Sequence, residues 1–82
     1  MRIIMGIEVG HREEDALKVQ KLLSEHGCCI KTRLGLHEVS GTQCSSTGLI
    51  LLEFVGGKEA EVAQLEQELS ALATVKVRKM EF

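Results

Sequence analysis

Hydrophobic and polar positions alternate in four stretches of the chain and recur at helical spacing in two others. Alternation with a period of two is typical of strands, because successive side chains point to opposite faces of a sheet. Recurrence every three to four residues is typical of an amphipathic helix. The predicted strands are residues 2–9, 28–37, 47–55 and 74–82, and the predicted helices are residues 12–26 and 58–72.

The segments between these elements have the composition of turns. Gly10 and His11 end the first strand, and Gly27 follows the first helix, where we expect a left-handed cap. The glycines at positions 56–57 separate the third strand from the second helix. Between the second and third strands, residues 38–46 read EVSGTQCSS, a composition that predicts a loop.

The order strand, helix, strand, strand, helix, strand predicts an α+β fold of the ferredoxin-like type. In this βαββαβ arrangement two helices cover one face of a four-stranded antiparallel sheet with strand order 4-1-3-2. The first and third strands are the most apolar, as central strands should be. The second and fourth strands carry five of the ten basic residues, and charge of this kind discourages pairing at a sheet edge. These are Lys31, Arg33, Lys76, Arg78 and Lys79.

The same alternation predicts the side chains on the sheet face that the helices leave open. We expect Ile4, Glu8, Lys31, Arg33, His37, Leu49, Leu51 and Glu53 on this open face. Exposed aliphatic residues of this kind are typical of a subunit interface. We therefore predict a homo-oligomer, a dimer or tetramer. On the same face we expect Glu8 or Glu53 to pair with Arg33 or Lys31.

Size and composition narrow the class of protein. The 82 residues fit a single domain, residues 1–82, whose marginal core favours association with a partner subunit. A net charge of −2 and two aromatic residues, both Phe, argue against direct nucleic acid binding. No apolar run is long enough to span a membrane. Three cysteines, an odd number, favour a reducing cytoplasm.

Two stretches, GCCIKTRLGLHEV and CSSTGLILLEFVGG, resemble the iron-only hydrogenase system regulators, small ACT-like domains with a ferredoxin-like fold. The resemblance covers nearly the whole chain. Its distinctive residues are Lys31, Thr32, Arg33, Leu34, Gly35, Leu36, His37 and Glu38, followed by Cys44, Ser45 and Gly48. It implies a cytoplasmic regulatory or sensing domain that binds a small effector or a protein partner at an oligomer interface, with a link to hydrogenase maturation.

The candidate ligand-binding residues are Gly10, His11 and Arg33. Many ACT domains bind an effector beside a glycine that follows the first strand, and Gly10 holds that place. Gly10 is equally explained as a turn residue that needs a positive φ, so both interpretations remain open. The chain has neither a phosphate-binding glycine pattern nor a recognisable nucleophile and base, so we do not expect an enzyme.

An alternative function is a transition-metal sensor that uses His37 and Cys44, similar to the metal-binding domain of nickel-responsive repressors. Imidazole and thiolate suit zinc, nickel or copper, but no CxxC or HxxxH spacing supports a complete site. The expected cofactor is therefore none, with a metal only in this alternative. We expect one of Cys28 and Cys29, adjacent on a strand, to be buried, and His26 to compensate the dipole of the first helix.

Overall fold

Two helices cover one face of a four-stranded antiparallel sheet. The structure, a computed structural model, describes residues 2–10, 12–40 and 43–82. For residues 37–40 and 43–47 it describes the backbone alone. The elements are β1 (Ile3–Val9), α1 (Glu13–Glu25), a 3₁₀ turn (Gly27–Cys29), β2 (Ile30–Ser40), β3 (Gln43–Phe54), α2 (Glu59–Ser70) and β4 (Val75–Glu81). The sheet order β2-β3-β1-β4 confirms the predicted ferredoxin-like fold.

Strand β1 lies at the centre of the sheet because its alternate residues are all apolar. Ile3, Met5, Ile7 and Val9 are buried beneath the helices. The strand pairs with β3 on one side and with β4 on the other. The pairing with β4 continues to the ends of the chain, where the amide of Phe82 donates to the carbonyl of Arg2 at 2.8 Å.

The helices bury their apolar residues against this strand and its neighbours. Val19 and Leu23 come from α1, and Val62, Leu65 and Leu69 come from α2. Burying a side chain of this size stabilises the folded state by about 1.5 to 3 kcal/mol. None of the described helices is long and apolar enough to cross a membrane.

Strands β2 and β3 form a longer hairpin than predicted. Their ladder continues through the pairs Val39 with Cys44 and Ser40 with Gln43, so the loop expected over residues 38–46 is wrong. The polar composition of these residues predicted a loop. The hydrogen bonds between two strands are made by backbone groups, however, so polar side chains do not prevent the pairing of β2 and β3 from continuing. Val9, the last residue of β1, pairs with Gly48, so the part of β3 that precedes Gly48 extends past the end of β1.

The two faces of β2 are the reverse of those predicted. Leu34 lies opposite Leu51, so it faces the open side, whereas Arg33 lies opposite Leu52 and faces the helices. Lys31 falls at an irregularity between Ile30 and Thr32. Because the side-chain period of a strand is two, a single-residue shift in register inverts the whole strand. The expected placement of Arg33 on the open face is therefore wrong.

The open face is more apolar than expected. Its exposed or half-buried apolar residues are Ile4, Leu34, Leu36, Leu49, Leu51 and Met80, which we call the open-face patch. Its two carboxylates pair with basic residues other than those predicted. Glu53 accepts from Arg2 at 2.9 Å, and Glu8 lies 3.8 Å from the ammonium of Lys76.

The connection from α1 to β2 is a 3₁₀ turn and not a glycine cap. The first helix ends at Glu25, its C-cap residue His26 has a negative φ of −100°, and Gly27 opens the turn. Among the described residues, only Gly57, with a φ of 84°, has a positive φ. The left-handed cap expected at Gly27 is therefore wrong, and Cys28 and Cys29 lie in the turn that precedes β2. One thiol, that of Cys29, is buried as predicted, and Cys28 is exposed.

Candidate functional site

Gly10 is held against the turn that precedes β4. Its amide donates to the carbonyl oxygen of Thr74 at 3.1 Å. A Cβ at this position would lie 2.8 Å from that oxygen and 2.9 Å from the Cβ of Thr74, which is too close. Gly10 does not have a positive φ. The glycine is therefore explained by close packing and not by a turn conformation. His11 lies outside the described residues.

Arg33 extends from β2 toward α1. Its Nη2 donates to Oε1 of Gln20, and both residues line a cleft of about 220 Å³ between α1 and the sheet. Gly35 forms part of the cleft, and a Cβ added there would meet no atom within 4 Å. Val9, Ala16 and Ile50 line the helix side of the cleft, and Leu36 and Leu49, which belong to the open-face patch, also border it. This cleft, called the Arg33 cleft below, does not include Gly10.

The register also locates the two residues of the alternative metal site. His37 lies opposite Gly48, whereas Cys44 lies opposite Val39, with an irregularity in the ladder between the two pairs. The two residues are therefore not direct cross-strand partners. Their side chains are outside the described part of the structure, so a site that uses His37 and Cys44 stays a prediction.

A second cluster of chemically active groups lies where α1, the 3₁₀ turn and α2 meet. His26 ends α1, Cys29 ends the turn, and Glu61 and Glu68 lie seven residues apart on one face of α2. The ring of His26 contacts both carboxylates, Nδ1 at 3.1 Å from Oε2 of Glu61 and Nε2 at 2.9 Å from Oε1 of Glu68. The thiol of Cys29 donates to the carbonyl oxygen of His26 at 3.1 Å.

The electrostatics of this cluster favour a protonated imidazole and a protonated thiol. Burial by itself lowers the pKa of His26, but hydrogen bonds to Glu68 and Glu61, together with their charges, outweigh it, so the pKa is raised. The hydrogen bond to His26 lowers the pKa of Glu61. Burial raises the pKa of the Cys29 thiol to about 11, and the negative charge of Glu61 adds to this effect.

The sequence contains one weak signal for this cluster. The spacing His-x-x-Cys over positions 26–29 places two metal-ligand side chains at the end of a helix, and Glu61 and Glu68 share a helical face. His26 was expected to compensate the dipole of α1. The pair His26 and Cys29 meets the pair Glu61 and Glu68 only because α2 packs beside the end of α1. His26 and Glu61 are 35 residues apart in the sequence, so this contact cannot be recognised from spacing.

Comparisons with known proteins identify the fold. Neither a family model nor a curated protein matches the chain. Among solved structures, the chain is similar to an uncharacterized protein from Thermotoga maritima. The TM-score is 0.75 and the identity is 22%, over 96% of this chain and 92% of the other.

Two further structures show the same arrangement. The chain is similar to the ACT domain of a GTP pyrophosphokinase from Chlorobium tepidum, with a TM-score of 0.64 and 14% identity over 98% of this chain and 97% of that domain. It is also similar to the PII-like protein CutA from Nostoc sp. PCC 7120, with a TM-score of 0.50 and 19% identity over 100% of this chain and 81% of the other. The fold is therefore ACT-like.

Proposed function

We propose that the chain is a small cytoplasmic regulatory or sensing domain that binds a small anionic effector in the Arg33 cleft and assembles as a homo-oligomer. One observation carries the proposal: the guanidinium group of Arg33 and the amide group of Gln20 line a small cleft whose other described lining residues have no polar side chain. The likeness of the fold to an ACT domain supports it.

The groups at the cleft favour a small carboxylate. Arginine presents several N–H donors in a planar fork that matches the two oxygens of a carboxylate, and the amide of Gln20 supplies a further polar group. At about 220 Å³ the cleft is smaller than the roughly 300 to 1,000 Å³ of sites for drug-sized ligands. The effector is therefore a compact organic acid with an apolar part, of the size of an amino acid or keto acid.

The lining also favours binding over catalysis. Of the described residues that line the cleft, Arg33 is the only one that is ionisable. General acid–base catalysis and nucleophilic catalysis both need a positioned side chain that exchanges protons or attacks the substrate. An arginine remains protonated and supplies neither function. The proposed role is therefore recognition without chemistry.

A thermal-shift screen of amino acids, keto acids and dicarboxylates tests the proposal. At ten times its dissociation constant, an effector adds about 1.4 kcal/mol, which raises the melting temperature of a domain of this size by roughly 5 to 10 °C. The shift should disappear in Arg33→Gln, which removes the charge. It should also disappear in Gly35→Val, which fills the cleft without meeting a neighbouring atom at Cβ.

The matched control is Arg78→Gln, because Arg78 is an exposed arginine on the open face, opposite Gly6 of β1. This variant should keep the response to the effector. A screen in which no compound raises the melting temperature contradicts the proposal, as does a shift that Arg33→Gln and Gly35→Val both retain. A response lost in Arg78→Gln alone would place effector binding on the other side of the sheet.

The resemblance noted in the sequence extends this proposal to iron-only hydrogenase maturation or regulation. The residues that carry the resemblance include Arg33 and Gly35, which line the Arg33 cleft. In an organism that encodes the chain together with such a hydrogenase, deletion of its gene should change hydrogenase activity. The wild-type gene should restore that activity and the Arg33→Gln variant should not. Unchanged activity after deletion would remove the hydrogenase link and leave the effector proposal standing.

A further inference from the structure

We propose that His26, Cys29 and Glu61 bind one divalent transition-metal cation of the Zn²⁺ class. The three side chains meet where the end of α1 and the 3₁₀ turn pack against the first turn of α2. This cluster, called the His26 site below, shares no residue with the Arg33 cleft or with the pair His37 and Cys44. The proposal therefore stands or falls independently of the effector.

The spacing of the ligand atoms fits a single cation. One ring nitrogen of His26, the sulfur of Cys29 and a carboxylate oxygen of Glu61 all lie within 4.8 Å of one another. Zinc bonds of about 2.0 to 2.3 Å place tetrahedral ligands roughly 3.3 to 3.8 Å apart. A small inward movement of the side chains is therefore sufficient. Imidazole, thiolate and carboxylate together are a ligand set that zinc accepts.

Glu68 contacts the ring nitrogen of His26 that does not face the proposed cation. It lies 2.9 Å from Nε2 of His26, whereas Nδ1 is the ring nitrogen that faces Glu61. A histidine that binds a metal commonly donates its other N–H to a carboxylate, which fixes the ring and raises the basicity of the ligating nitrogen. In the His26 site this partner is already in place.

The backbone holds two of the three ligands at a fixed separation. The amide of Cys29 donates to the carbonyl of His26 at 3.0 Å, and the amide of Val55 donates to the carbonyl of Cys29 at 2.8 Å. His26 is 8% exposed and Cys29 is fully buried, so water competes weakly for both. Glu61 is half-buried and provides the side from which a cation enters and a water molecule fills the fourth position.

Charge and protons balance when the cation binds. Both ring nitrogens of His26 lie within hydrogen-bond distance of a carboxylate oxygen, so both are donors and the ring is an imidazolium. With a neutral thiol and two carboxylates, the metal-free cluster has a net charge of −1. A dication that bonds to Nδ1 and Sγ replaces one proton on each, so two protons leave to solvent and the net charge remains −1. Because no uncompensated charge is created, the surrounding apolar core does not oppose the exchange.

Titration of the metal-free full chain with Co²⁺ tests the proposal. Cobalt bonded to a thiolate gives charge-transfer absorption in the near ultraviolet, which should saturate at one cation per chain and vanish when Zn²⁺ is added. Cys29→Ser should abolish the band, and Cys28→Ser, which removes the adjacent exposed thiol, should leave it unchanged. The double variant His37→Ala, Cys44→Ser should also retain it.

Two carboxylate variants separate direct binding from orientation. Glu68→Gln should weaken Zn²⁺ binding by roughly 10- to 100-fold, as loss of such an outer partner typically does. Glu61→Gln should weaken it further, whereas Glu59→Gln, an exposed residue of the same helix turn, should have no effect. Glu59, Glu61 and Glu68 lie outside the apolar core, so their glutamine variants should remain folded. They test the proposal even where Cys29→Ser unfolds the protein.

The competing explanation is a structural ion cluster only, in which His26 merely joins two carboxylates. It predicts no thiolate band, or Zn²⁺ binding that Cys29→Ser and Glu61→Gln both leave intact. Either result overturns the proposal. A band that depends on Cys28, or on His37 and Cys44, would likewise assign the metal to other residues and exclude the His26 site.

Discussion

Thr74 donates both its backbone N–H and its hydroxyl to Oδ2 of Asp15, at 3.0 and 2.8 Å. The bonds join the first turn of α1 to the residue before β4, across 59 positions of sequence. On the same residue, the carbonyl oxygen accepts from Gly10. Thr74 therefore ties the N-terminal end of α1, the end of β1 and the start of β4 together.

The bonds to Asp15 make stability depend on pH. Hydrogen bonds from the hydroxyl and the amide of Thr74 lower the pKa of Asp15. Because the folded-state pKa lies below the unfolded value of about 3.9, the contribution is fully present above that value and is lost as pH falls through the folded-state pKa. Asp15→Asn should therefore lower the melting temperature at pH 7 by roughly 5 °C.

The difference in melting temperature between Asp15→Asn and wild type should become smaller below about pH 4. Thermal melts at a series of pH values measure it. Glu13→Gln is the control, because Glu13 is an exposed carboxylate in the same helix turn. An equal loss at pH 7 and pH 2 would show that the carboxylate charge is not what Thr74 stabilises.

Gly10→Ala should destabilise the fold. Its Cβ would lie 2.8 Å from the carbonyl oxygen of Thr74, and overpacking of this kind costs about 1 to 3 kcal/mol. The matched control is Gly35→Ala, whose Cβ meets no atom within 4 Å. Chemical denaturation of both variants measures the difference. If Gly10→Ala is as stable as wild type, the close packing at Thr74 does not constrain this position.

The open-face patch should mediate self-association. Leu34 is 52% exposed and Met80 is 56% exposed, on a sheet face that the helices do not cover. Leu34→Lys and Met80→Lys should each raise the dissociation constant of the oligomer at least about tenfold, since an unpaired charge at an interface costs more than 1.4 kcal/mol.

For Leu34→Lys and Met80→Lys, sedimentation velocity should show weaker association, and circular dichroism should show that the chain remains folded. Leu17→Lys is the control, because Leu17 is 66% exposed on α1 and lies outside the open-face patch. A wild-type chain that remains monomeric at high micromolar concentration would refute the predicted homo-oligomer. Equal weakening by all three variants would place the interface elsewhere.

The two adjacent cysteines should differ in reactivity toward iodoacetamide. Cys28 is exposed, whereas Cys29 is buried and its pKa is raised to about 11, chiefly by burial. The thiolate is the reactive form, so at pH 8 native protein should be alkylated at Cys28 well before Cys29. Fragmentation mass spectrometry of the peptide that contains both residues measures this. In denaturant the two rates should converge, and equal rates in native protein would contradict the buried position of Cys29.

Much of the fold could be predicted because alternation and helical periodicity are strong signals in a chain of this size. Strand β1, with four buried alternate residues, and α2, with a narrow apolar stripe, were found within two residues of their observed ends. The faces of β2 could not be predicted in the same way. Leu34 and Leu36 were expected beneath the helices, because a pattern cannot tell a core from an exposed apolar surface.

The candidate site was less predictable for a different physical reason. The sequence predicted Arg33 as a candidate ligand-binding residue, but its proposed role depends on facing Gln20 of α1, and that orientation follows from the register of β2. The His26 site joins two pairs of residues that only tertiary packing brings together. Sequence spacing detects ligands on one helix or in one turn, but not a contact between the end of α1 and the face of α2.

The hydrogen bond from Phe82 to Arg2 has a consequence for the biosynthesis of the protein. β1 is made first, yet one of its two neighbours in the sheet, β4, is made last. While β4 is still inside the ribosome, β1 can pair only with β3, and its other edge must stay unpaired. The sheet therefore closes only once β4 has emerged, and until then the nascent chain carries an open central strand that is prone to incorrect pairing.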